Sequence, residues 1–390
     1  MVEQAPFTPA TKLPPAPQYG QDTLGELLPS AAHALGVNGF ANPLKLPATR
    51  RVNLVMVDGL GWNQLKANLA HAPFLRSIFS QAQRLTTGFP STTATSLSSL
   101  GTGVSPGTHG LVGYDVIDPE RRRVVNQLGG WPTNLNPALW QPLPTVFETI
   151  AAHGVHVATV SLGLFADSAL TRAALRGPTF IAANSLAARS RATTEVFAKE
   201  RHALVYTYFN ELDKAGHKYG VDSDQWRHTL EELDYTIKLM VSRLPAGTSV
   251  LITGDHGMVD VSASQRIDYS LEPELIEAVE LTSGEPRGVQ LSFAANTPEA
   301  TRAKVRAAWI ERYGTKAWVL TRDEAIAYGL FGQLREGVAE RLGDLLILAA
   351  EPVAFYDGRR VAPTAFEMIG QHGSLTTAER IVPLLSVHTG

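Results

Sequence analysis

The sequence predicts an α/β protein with a mainly parallel central sheet flanked by helices. Short apolar runs alternate with helical patterns along most of the chain, as in folds built from strand–helix–strand units. Several of these runs are uniformly apolar, which is typical of strands buried on both faces. Three of the runs lead into an aspartate: Asp58, Asp213 and Asp255.

The elements follow from these patterns in chain order. "RVNLVMVDGLGW" predicts a buried strand that ends at Asp58 and a glycine-rich turn. Apolar residues at helical spacing, such as Leu230, Leu233 and Ile237, predict the longest helix. The predicted core strands are 52–57, 156–162, 203–213 and 249–257. The predicted helices are 22–35, 62–80, 145–153, 184–200 and 222–243.

Three regions are predicted within the chain. Residues 1–48 are punctuated by proline and are expected to form a lead-in segment that packs on the core. Residues 49–285 and 343–390 are expected to form the catalytic core, with "GDLLILA" at 343–349 as a core strand. Residues 286–342 contain two strand and two helix patterns and predict a small α/β insertion.

Composition excludes several classes of function. Of 390 residues, 44% are hydrophobic and 18% charged, and 34 basic against 37 acidic residues give a net charge of −3. Such a balance predicts a globular protein with neither a nucleic-acid nor a membrane footprint. The absence of cysteine excludes disulfides, thiolate nucleophiles and cysteine-bound zinc. No signal peptide or membrane-spanning run is evident, so a cytoplasmic location is expected.

The three aspartates suggest a metal site. Ligands of open α/β sheets bind outside the carboxyl ends of strands, so acids at three such ends would converge there and repel one another. Histidines accompany the acids, because His217 follows Asp213 by four residues and His256 follows Asp255 directly. His372 lies in the glycine-containing loop "GQHGS". Carboxylates with imidazoles suit zinc or a similar divalent ion, and six ligands suit two ions.

The other eight histidines are interpreted as surface or structural residues. They are His33, His71, His109, His153, His156, His202, His228 and His388.

The stretch "GFPSTTATSLSSLGTG" at 88–103 lies between the first aspartate and the other candidate ligands. Eight of its sixteen residues carry a hydroxyl group. Composition alone is compatible with a linker. Its position instead favours a closely packed helix with one reactive hydroxyl at its start.

With these blocks in this order, the sequence resembles the alkaline phosphatase superfamily, and within it the nucleotide pyrophosphatase/phosphodiesterase branch. The resemblance covers roughly 50–260 and 343–385, and it implies an alkaline-phosphatase-like fold. It also implies that two Zn²⁺ ions, or other divalent ions, are held by two residue groups. One group is Asp213, His217 and His372, and the other is Asp58, Asp255 and His256.

The resemblance further implies a threonine nucleophile at a helix N-terminus, about ten residues before a Thr-Gly pair. Counting back from Thr102-Gly103 reaches Thr93, which would also be a metal ligand, with Thr92 as the alternative. The implied substrate is a small-molecule phosphodiester or nucleotide. The implied reaction has two steps, with a phosphothreonine intermediate that is then hydrolysed.

Two departures from the family pattern bear on substrate choice. Ser96 occupies the position three residues after the nucleophile, where the branch is expected to carry a substrate-binding asparagine. The nucleophile stretch contains no arginine or lysine, which favours diesters or pyrophosphates over the more highly charged monoesters. Tyr114, Trp131, Trp140 and Phe165 are candidates for stacking on a nucleobase, although they could equally be packing residues.

Alternative functions remain open at this point. One is a phosphomonoesterase, phosphonate hydrolase or phosphotransferase of the same superfamily. Another is an inactive binding protein with the same fold. Oligomeric state cannot be inferred from the sequence.

Overall fold

The computed structural model describes residues 12–390 and alternates strands with helices over most of that length. The helices are α1 (Leu27–Ala34), α2 (Trp62–Ala67), α3 (Pro73–Phe79), α4 (Thr93–Thr102), α5 (Pro106–His109), α6 (Pro137–Trp140), α7 (Val146–Ala152), α8 (Ala169–Ala174), α9 (Leu186–Lys199), α10 (Glu211–Tyr219), α11 (Asp224–Ser242), α12 (Glu299–Tyr313), α13 (Arg322–Ala327) and α14 (Thr377–Arg380). The strands are β1 (Arg51–Val57), β2 (Gln83–Thr86), β3 (Asp115–Asp118), β4 (Arg123–Asn126), β5 (His156–Ser161), β6 (Thr179–Ala182), β7 (Ala203–Phe209), β8 (Thr248–Thr253), β9 (Val259–Asp260), β10 (Arg266–Asp268), β11 (Val279–Glu285), β12 (Gly288–Phe293), β13 (Ala317–Thr321), β14 (Leu345–Ala349), β15 (Ala354–Tyr356), β16 (Gly370–Gln371) and β17 (Ile381–His388).

A seven-stranded central sheet organises the molecule, with the strand order β2-β17-β8-β1-β7-β5-β6. The pairs β8–β1, β1–β7, β7–β5 and β5–β6 are parallel, whereas β17 runs antiparallel to both β8 and β2. Alternate residues of β1 enter different apolar clusters: Leu54 and Met56 pack on one side, Val55 and Val57 on the other. The predicted fold class, a mainly parallel sheet with helices on both faces, is confirmed.

The prediction of a single helix over 62–80 is wrong. The region consists of α2, a short 3-10 turn at Leu69–His71, and α3. Pro73 is the first residue of α3. Proline has no backbone N–H and its ring clashes with the preceding turn, so it begins a new helix rather than continuing the old one.

A second, four-stranded antiparallel sheet has the order β11-β12-β14-β13, and α12 packs against it. The prediction that 343–349 returns to the core sheet is wrong, because β14 pairs with β12 and β13. Leu346 and Leu348 pack on the main apolar cluster, whereas Leu345 and Ile347 pack on the cluster around α12. A strand buried on both faces has the composition of a core strand whichever sheet contains it.

The described part of the lead-in segment contributes to the main apolar cluster. Leu24, Leu27, Leu28 and Ala31 are fully buried in the main apolar cluster. The rest of that prediction, residues 1–11, lies outside the described residues. Within residues 12–390, no helix combines the length and the apolar composition needed to cross a membrane.

Helix α4 is buried along its whole length, and Gly101 is where it comes closest to a neighbour. A Cβ atom added at Gly101 would lie 1.9 Å from the carbonyl oxygen of Ala174, at the end of α8. Alanine normally stabilises a helix interior relative to glycine by about 1 kcal/mol. At Gly101 the clash with backbone outweighs that preference, so glycine is required by packing.

We therefore predict that Gly101→Ala destabilises the fold by roughly 1–3 kcal/mol, because α4 and α8 must move apart. The free energy of unfolding can be measured by urea denaturation. Gly129→Ala is the matched control, since a Cβ there meets no atom of the described chain within 4 Å. A Gly101→Ala protein as stable as the parent would contradict the proposed close contact.

Candidate metal centre and active site

Neighbouring parallel strands bring the three aspartates together. Asp58 directly follows β1, and Asp255 lies two residues after the end of β8. Asp213 lies in the first turn of α10, just after β7. Because β8, β1 and β7 are adjacent and parallel, their carboxyl ends meet at one edge of the sheet.

Asp58, Asp255 and His256 form one buried group of potential metal ligands. The Nε2 atom of His256 lies 3.3 Å from Asp58 Oδ1 and 3.6 Å from Asp255 Oδ2. Neither oxygen accepts a hydrogen bond from the described residues. Donor atoms bound tetrahedrally at zinc distances of about 2.0 Å stand roughly 3.3 Å apart, so these separations fit a shared ion.

Each of these two carboxylates has its second oxygen held by the protein. Asp58 Oδ2 accepts a hydrogen bond from the Tyr208 hydroxyl. Asp255 Oδ1 accepts from the backbone N–H groups of Gly59 and His256, both at 3.1 Å. The bound oxygen fixes the orientation of the carboxylate, so that the free oxygen stays directed at the other ligands.

Asp213, His217 and His372 form the second group, and their ligand atoms also lie within 4.8 Å of one another. The four-residue spacing on α10 places Asp213 Oδ1 3.2 Å from His217 Nε2. The two groups are close neighbours, since the His256 and His372 rings stack with centroids 3.5 Å apart.

All three histidines have the same second contact, which sets the tautomer. In each ring Nδ1 lies within hydrogen-bond distance of a backbone carbonyl oxygen, which can only accept. Nδ1 therefore carries the proton and Nε2 keeps its lone pair for a metal. The contacts are His217 to Gly370 at 2.7 Å, His256 to Gly257 at 3.1 Å and His372 to Ser91 at 2.9 Å.

Electrostatics at the buried group favour a bound cation. Burial, and then the charge of Asp58, raise the pKa of Asp255 to about 7. Burial opposes a charge on His256, yet Asp255 and Asp58 together raise its pKa to about 10, which favours a proton, or a metal ion in its place, at Nε2. The buried acids thus need positive charge beside them. Two sets of carboxylate oxygens and imidazole nitrogens match the donors that zinc prefers, so the residues present fit divalent ions.

Thr93 is the hydroxyl that the fold brings to the ligands. It is the first residue of α4, and its Oγ1 lies 3.1 Å from His256 Nε2. Thr92 is the N-cap residue, and its side chain caps no N–H group of the helix. The first N–H groups of α4 therefore remain open to an anion beside Thr93. The N-terminal helix position predicted for Thr93 is confirmed.

Ser96 stands apart from this arrangement. It lies one turn further along α4, is fully buried, and is not among the described residues that line the cavity beside Thr93. The geometry therefore gives no support to Ser96 as a substrate ligand. The loops around the cavity supply other polar groups.

A cavity of about 500 Å³ opens beside both ligand groups and Thr93. One part of its lining, here called the apolar wall, comes from α4, α8, β6 and the 3-10 turn that follows β5. The other part, here called the acidic wall, comes from the segments around β3, β11 and β15. The apolar wall comprises Leu97, Phe165, Leu170, Leu175 and Phe180. The acidic wall comprises Tyr114, Asp115, Ser283, Glu285, Asp357 and Arg360.

The aromatic candidates divide into two pairs. Tyr114 and Phe165 line the cavity as anticipated. Trp131 and Trp140 instead pack edge-to-face at 5.8 Å, and the Arg341 guanidinium lies over the Trp140 ring. These two tryptophans are packing residues.

Apart from Tyr114, sequence reasoning missed the residues of the acidic wall. Arg360, the basic side chain in the cavity lining, pairs with Asp115 at 2.7 Å. These residues are 245 positions apart in the sequence, so no local spacing could associate them. Among the histidines set aside as structural, His109 is fully buried, and burial lowers its pKa to about 3. It is therefore a neutral packing residue.

Comparison with known proteins agrees with this geometry. The sequence model of the family described as type I phosphodiesterase / nucleotide pyrophosphatase matches residues 52–375. A venom phosphodiesterase from Macrovipera lebetinus is 25% identical over 219 residues, which make up 53% of this chain and 24% of the relative. Human ectonucleotide pyrophosphatase/phosphodiesterase family member 5 is 24% identical over 233 residues, 57% of this chain and 48% of the relative. The chain thus spans half or less of these relatives.

Solved structures show the same fold. An inactive variant of murine ectonucleotide pyrophosphatase / phosphodiesterase 5 in complex with AMP superposes with a TM-score of 0.66 at 16% identity, covering 86% of this chain and 87% of that one. Phosphonoacetate hydrolase from Sinorhizobium meliloti in complex with phosphonoacetate superposes with a TM-score of 0.66 at 19% identity, covering 87% and 90%.

We predict that the purified chain binds two divalent ions, one at each ligand group, and that Asp255→Asn loses one of them. Metal content by mass spectrometry and the rise in Tm on adding Zn²⁺ measure this, because an ion that binds only the folded state stabilises it. Asp224→Asn is the control, since Asp224 is exposed and pairs only with Arg227 among the described residues. Unchanged metal content in Asp255→Asn would contradict the assignment.

Proposed function

Because the chain belongs to the type I phosphodiesterase / nucleotide pyrophosphatase family, we propose that it hydrolyses phosphodiester or pyrophosphate bonds of small molecules. The observation that carries the proposal is the position of Thr93 Oγ1, 3.1 Å from His256 Nε2 at the open N-terminus of α4. A nucleophile, anion-binding N–H groups and two sets of metal ligands then share one cavity.

Two Zn²⁺ ions would be held by the ligand groups, one by Asp213, His217 and His372 and the other by Asp58, Asp255 and His256. When bound, such ions lower the pKa of a hydroxyl group or water and stabilise negative charge on the leaving oxygen. The fit rests on the free carboxylate oxygens and the aligned Nε2 atoms described above.

Thr93 is the proposed nucleophile. Its hydroxyl loses its proton, Oγ1 attacks phosphorus, and the bond to the leaving oxygen breaks. The leaving oxygen takes up a proton, and the phosphoryl group is held as an ester of Thr93. The N–H groups of the first turn of α4 donate to the non-bridging oxygens in both steps. Water then attacks the same phosphorus, the bond to Thr93 Oγ1 breaks, and the threonine hydroxyl is restored.

Charge in the cavity favours diesters over monoesters. The lining carries several carboxylates, and Arg360 is already paired with Asp115. A monoester dianion would bring an additional negative charge without an unpaired basic side chain to receive it. The apolar wall, with Phe165 and Phe180, suits an apolar or aromatic substituent such as a nucleobase. The AMP complex of the murine structural relative supports a nucleotide as one such substrate.

A second candidate is phosphonate hydrolysis, which is favoured by the likeness to phosphonoacetate hydrolase. Phosphomonoester hydrolysis and phosphotransfer would use the same ligand groups. A substrate panel separates these activities, with an alcohol acceptor included to detect transfer. An inactive binding protein is less well supported, because all six expected ligands and Thr93 are present and grouped.

We predict that kcat/KM for bis(p-nitrophenyl) phosphate exceeds that for p-nitrophenyl phosphate by at least about tenfold, because the described residues that line the cavity include no unpaired lysine or arginine for the extra monoester charge. Release of p-nitrophenol with Zn²⁺-loaded protein measures both constants. Phosphonoacetate belongs in the same assay series, followed by release of inorganic phosphate. Preference for the monoester would overturn the diester proposal.

We predict that Thr93→Ala lowers kcat by at least about a thousandfold while both ions remain bound, since the nucleophile is removed and the ligand groups stay in place. Metal content and diester hydrolysis are measured on the same sample. Thr92→Ala is the matched control and should retain most of its activity. An active Thr93→Ala protein beside an inactive Thr92→Ala protein would move the nucleophile to Thr92.

A further inference from the structure

The acidic wall contains a buried carboxyl group with one free oxygen. Glu285 is 5% exposed, and its Oε2 accepts a hydrogen bond from the Tyr114 backbone N–H at 3.0 Å. Its Oε1 is buried, receives no hydrogen bond from the described residues, and belongs to a side chain that lines the cavity. Burial raises the pKa of Glu285 to about 8. A cation beside the group would offset the cost of ionising it there.

The other carboxylates of the wall already have partners. Asp115 pairs with Arg360, and Asp357 pairs with Arg359, each at 2.7 Å. Within residues 12–390, no lysine or arginine forms an ion pair with Glu285. Glu285 is therefore the carboxyl group of the acidic wall that is available to pair with a charged group on a ligand.

A second acceptor lies on the same strand. Ser283 precedes Glu285 by two residues on β11, and both residues line the cavity. Ser283 is 3% exposed and lines the cavity, and its Oγ has no hydrogen-bond partner among the described residues. Two buried oxygen atoms, one on a carboxyl group and one on a hydroxyl group, are thus open to a hydrogen-bond donor.

Aromatic side chains complete this part of the cavity. Tyr114 and Phe355 both line it. Backbone hydrogen bonds hold both residues close to Glu285. The Tyr114 N–H donates to the Glu285 carboxyl group, and the Phe355 N–H donates to the carbonyl oxygen of Pro286, the residue after Glu285, at 2.7 Å. Aromatic faces attract cations, and carboxylates bind ammonium groups through charge-assisted hydrogen bonds.

We propose that the acidic wall binds a primary ammonium group on one substituent of the phosphodiester substrate. The ammonium N–H groups donate to Glu285 Oε1 and Ser283 Oγ, and Tyr114 and Phe355 supply the aromatic surface. Because both free oxygens are acceptors, an ammonium that carries N–H groups fits better than a trimethylammonium, which has no N–H to donate. This inference rests on the proposed function, since it names the substrate class of the same cavity.

Binding to Zn²⁺-loaded Thr93→Ala protein tests the inference without turnover. Three diesters are compared by calorimetry: ethyl 2-aminoethyl phosphate, ethyl 2-(trimethylammonio)ethyl phosphate and diethyl phosphate. Phosphorus NMR checks that they stay intact. We expect the aminoethyl diester to bind roughly tenfold or more tightly than diethyl phosphate, and more tightly than the trimethylammonium diester.

In the Thr93→Ala protein, adding Glu285→Gln should reduce the binding advantage of the aminoethyl diester over diethyl phosphate to about twofold or less. The substitution removes the charge of the side chain and keeps its shape. Ser283→Ala should reduce the advantage by a smaller factor, and this variant serves as the test if Glu285→Gln does not fold. Glu280→Gln is the matched control, because Glu280 lies on the same strand but is exposed and pairs with Arg122.

Equal binding of the aminoethyl and diethyl esters would overturn the inference and leave the phosphodiesterase proposal intact. An advantage that survives Glu285→Gln, or tighter binding of the trimethylammonium ester, would also overturn it. Failure of all three diesters to bind would overturn both proposals together.

Discussion

Repulsion among three carboxylates at one edge of a parallel sheet is the constraint around which the rest of the structure is arranged. Adjacent strands β8, β1 and β7 end together, and each leads to an aspartate. Buried like charges at such distances are unfavourable unless positive charge accompanies them. Within residues 12–390, no lysine or arginine forms an ion pair with these three carboxylates. The fold directs three imidazole lone pairs to the same place.

The surrounding backbone keeps that arrangement rigid. The carbonyl groups that orient His217, His256 and His372 come from three separate segments, at residues 370, 257 and 91. The last of these segments also leads into α4, so the chain that orients His372 also positions Thr93. Helix α4 is in turn fixed by its burial on every side and by its close contact with α8 at Gly101. Nucleophile and ligands are thus held by one continuous packing arrangement.

The sequence was most informative where one local pattern determined one structural role. Uniformly apolar runs predicted β1, β7 and β8, and the polar residues at their ends predicted the ligands. Strand β17 was missed because Pro383 interrupts an apolar run, and proline usually argues against a strand. The break between α2 and α3 at Pro73 follows from the rule that proline does not continue a helix, but the helical pattern across 62–80 concealed it. Which sheet contains β14, and which residues form the acidic wall, depend on contacts across the chain. Glu285 and Tyr114, for example, are 171 positions apart, and no spacing rule connects them.

The separate origin of the two walls has an evolutionary consequence. The apolar wall is built by α4, α8, β6 and the turn that follows β5, and the acidic wall by the segments around β3, β11 and β15. The candidate metal ligands lie on other segments of the core, although α4 carries Thr93 as well as Leu97 of the apolar wall. After gene duplication, substitutions in one wall can therefore alter which ester is accepted without disturbing the reacting centre or the opposite substituent. In such a fold, the substituent preference of one wall of the cavity can change at a time, while the reaction at phosphorus stays the same.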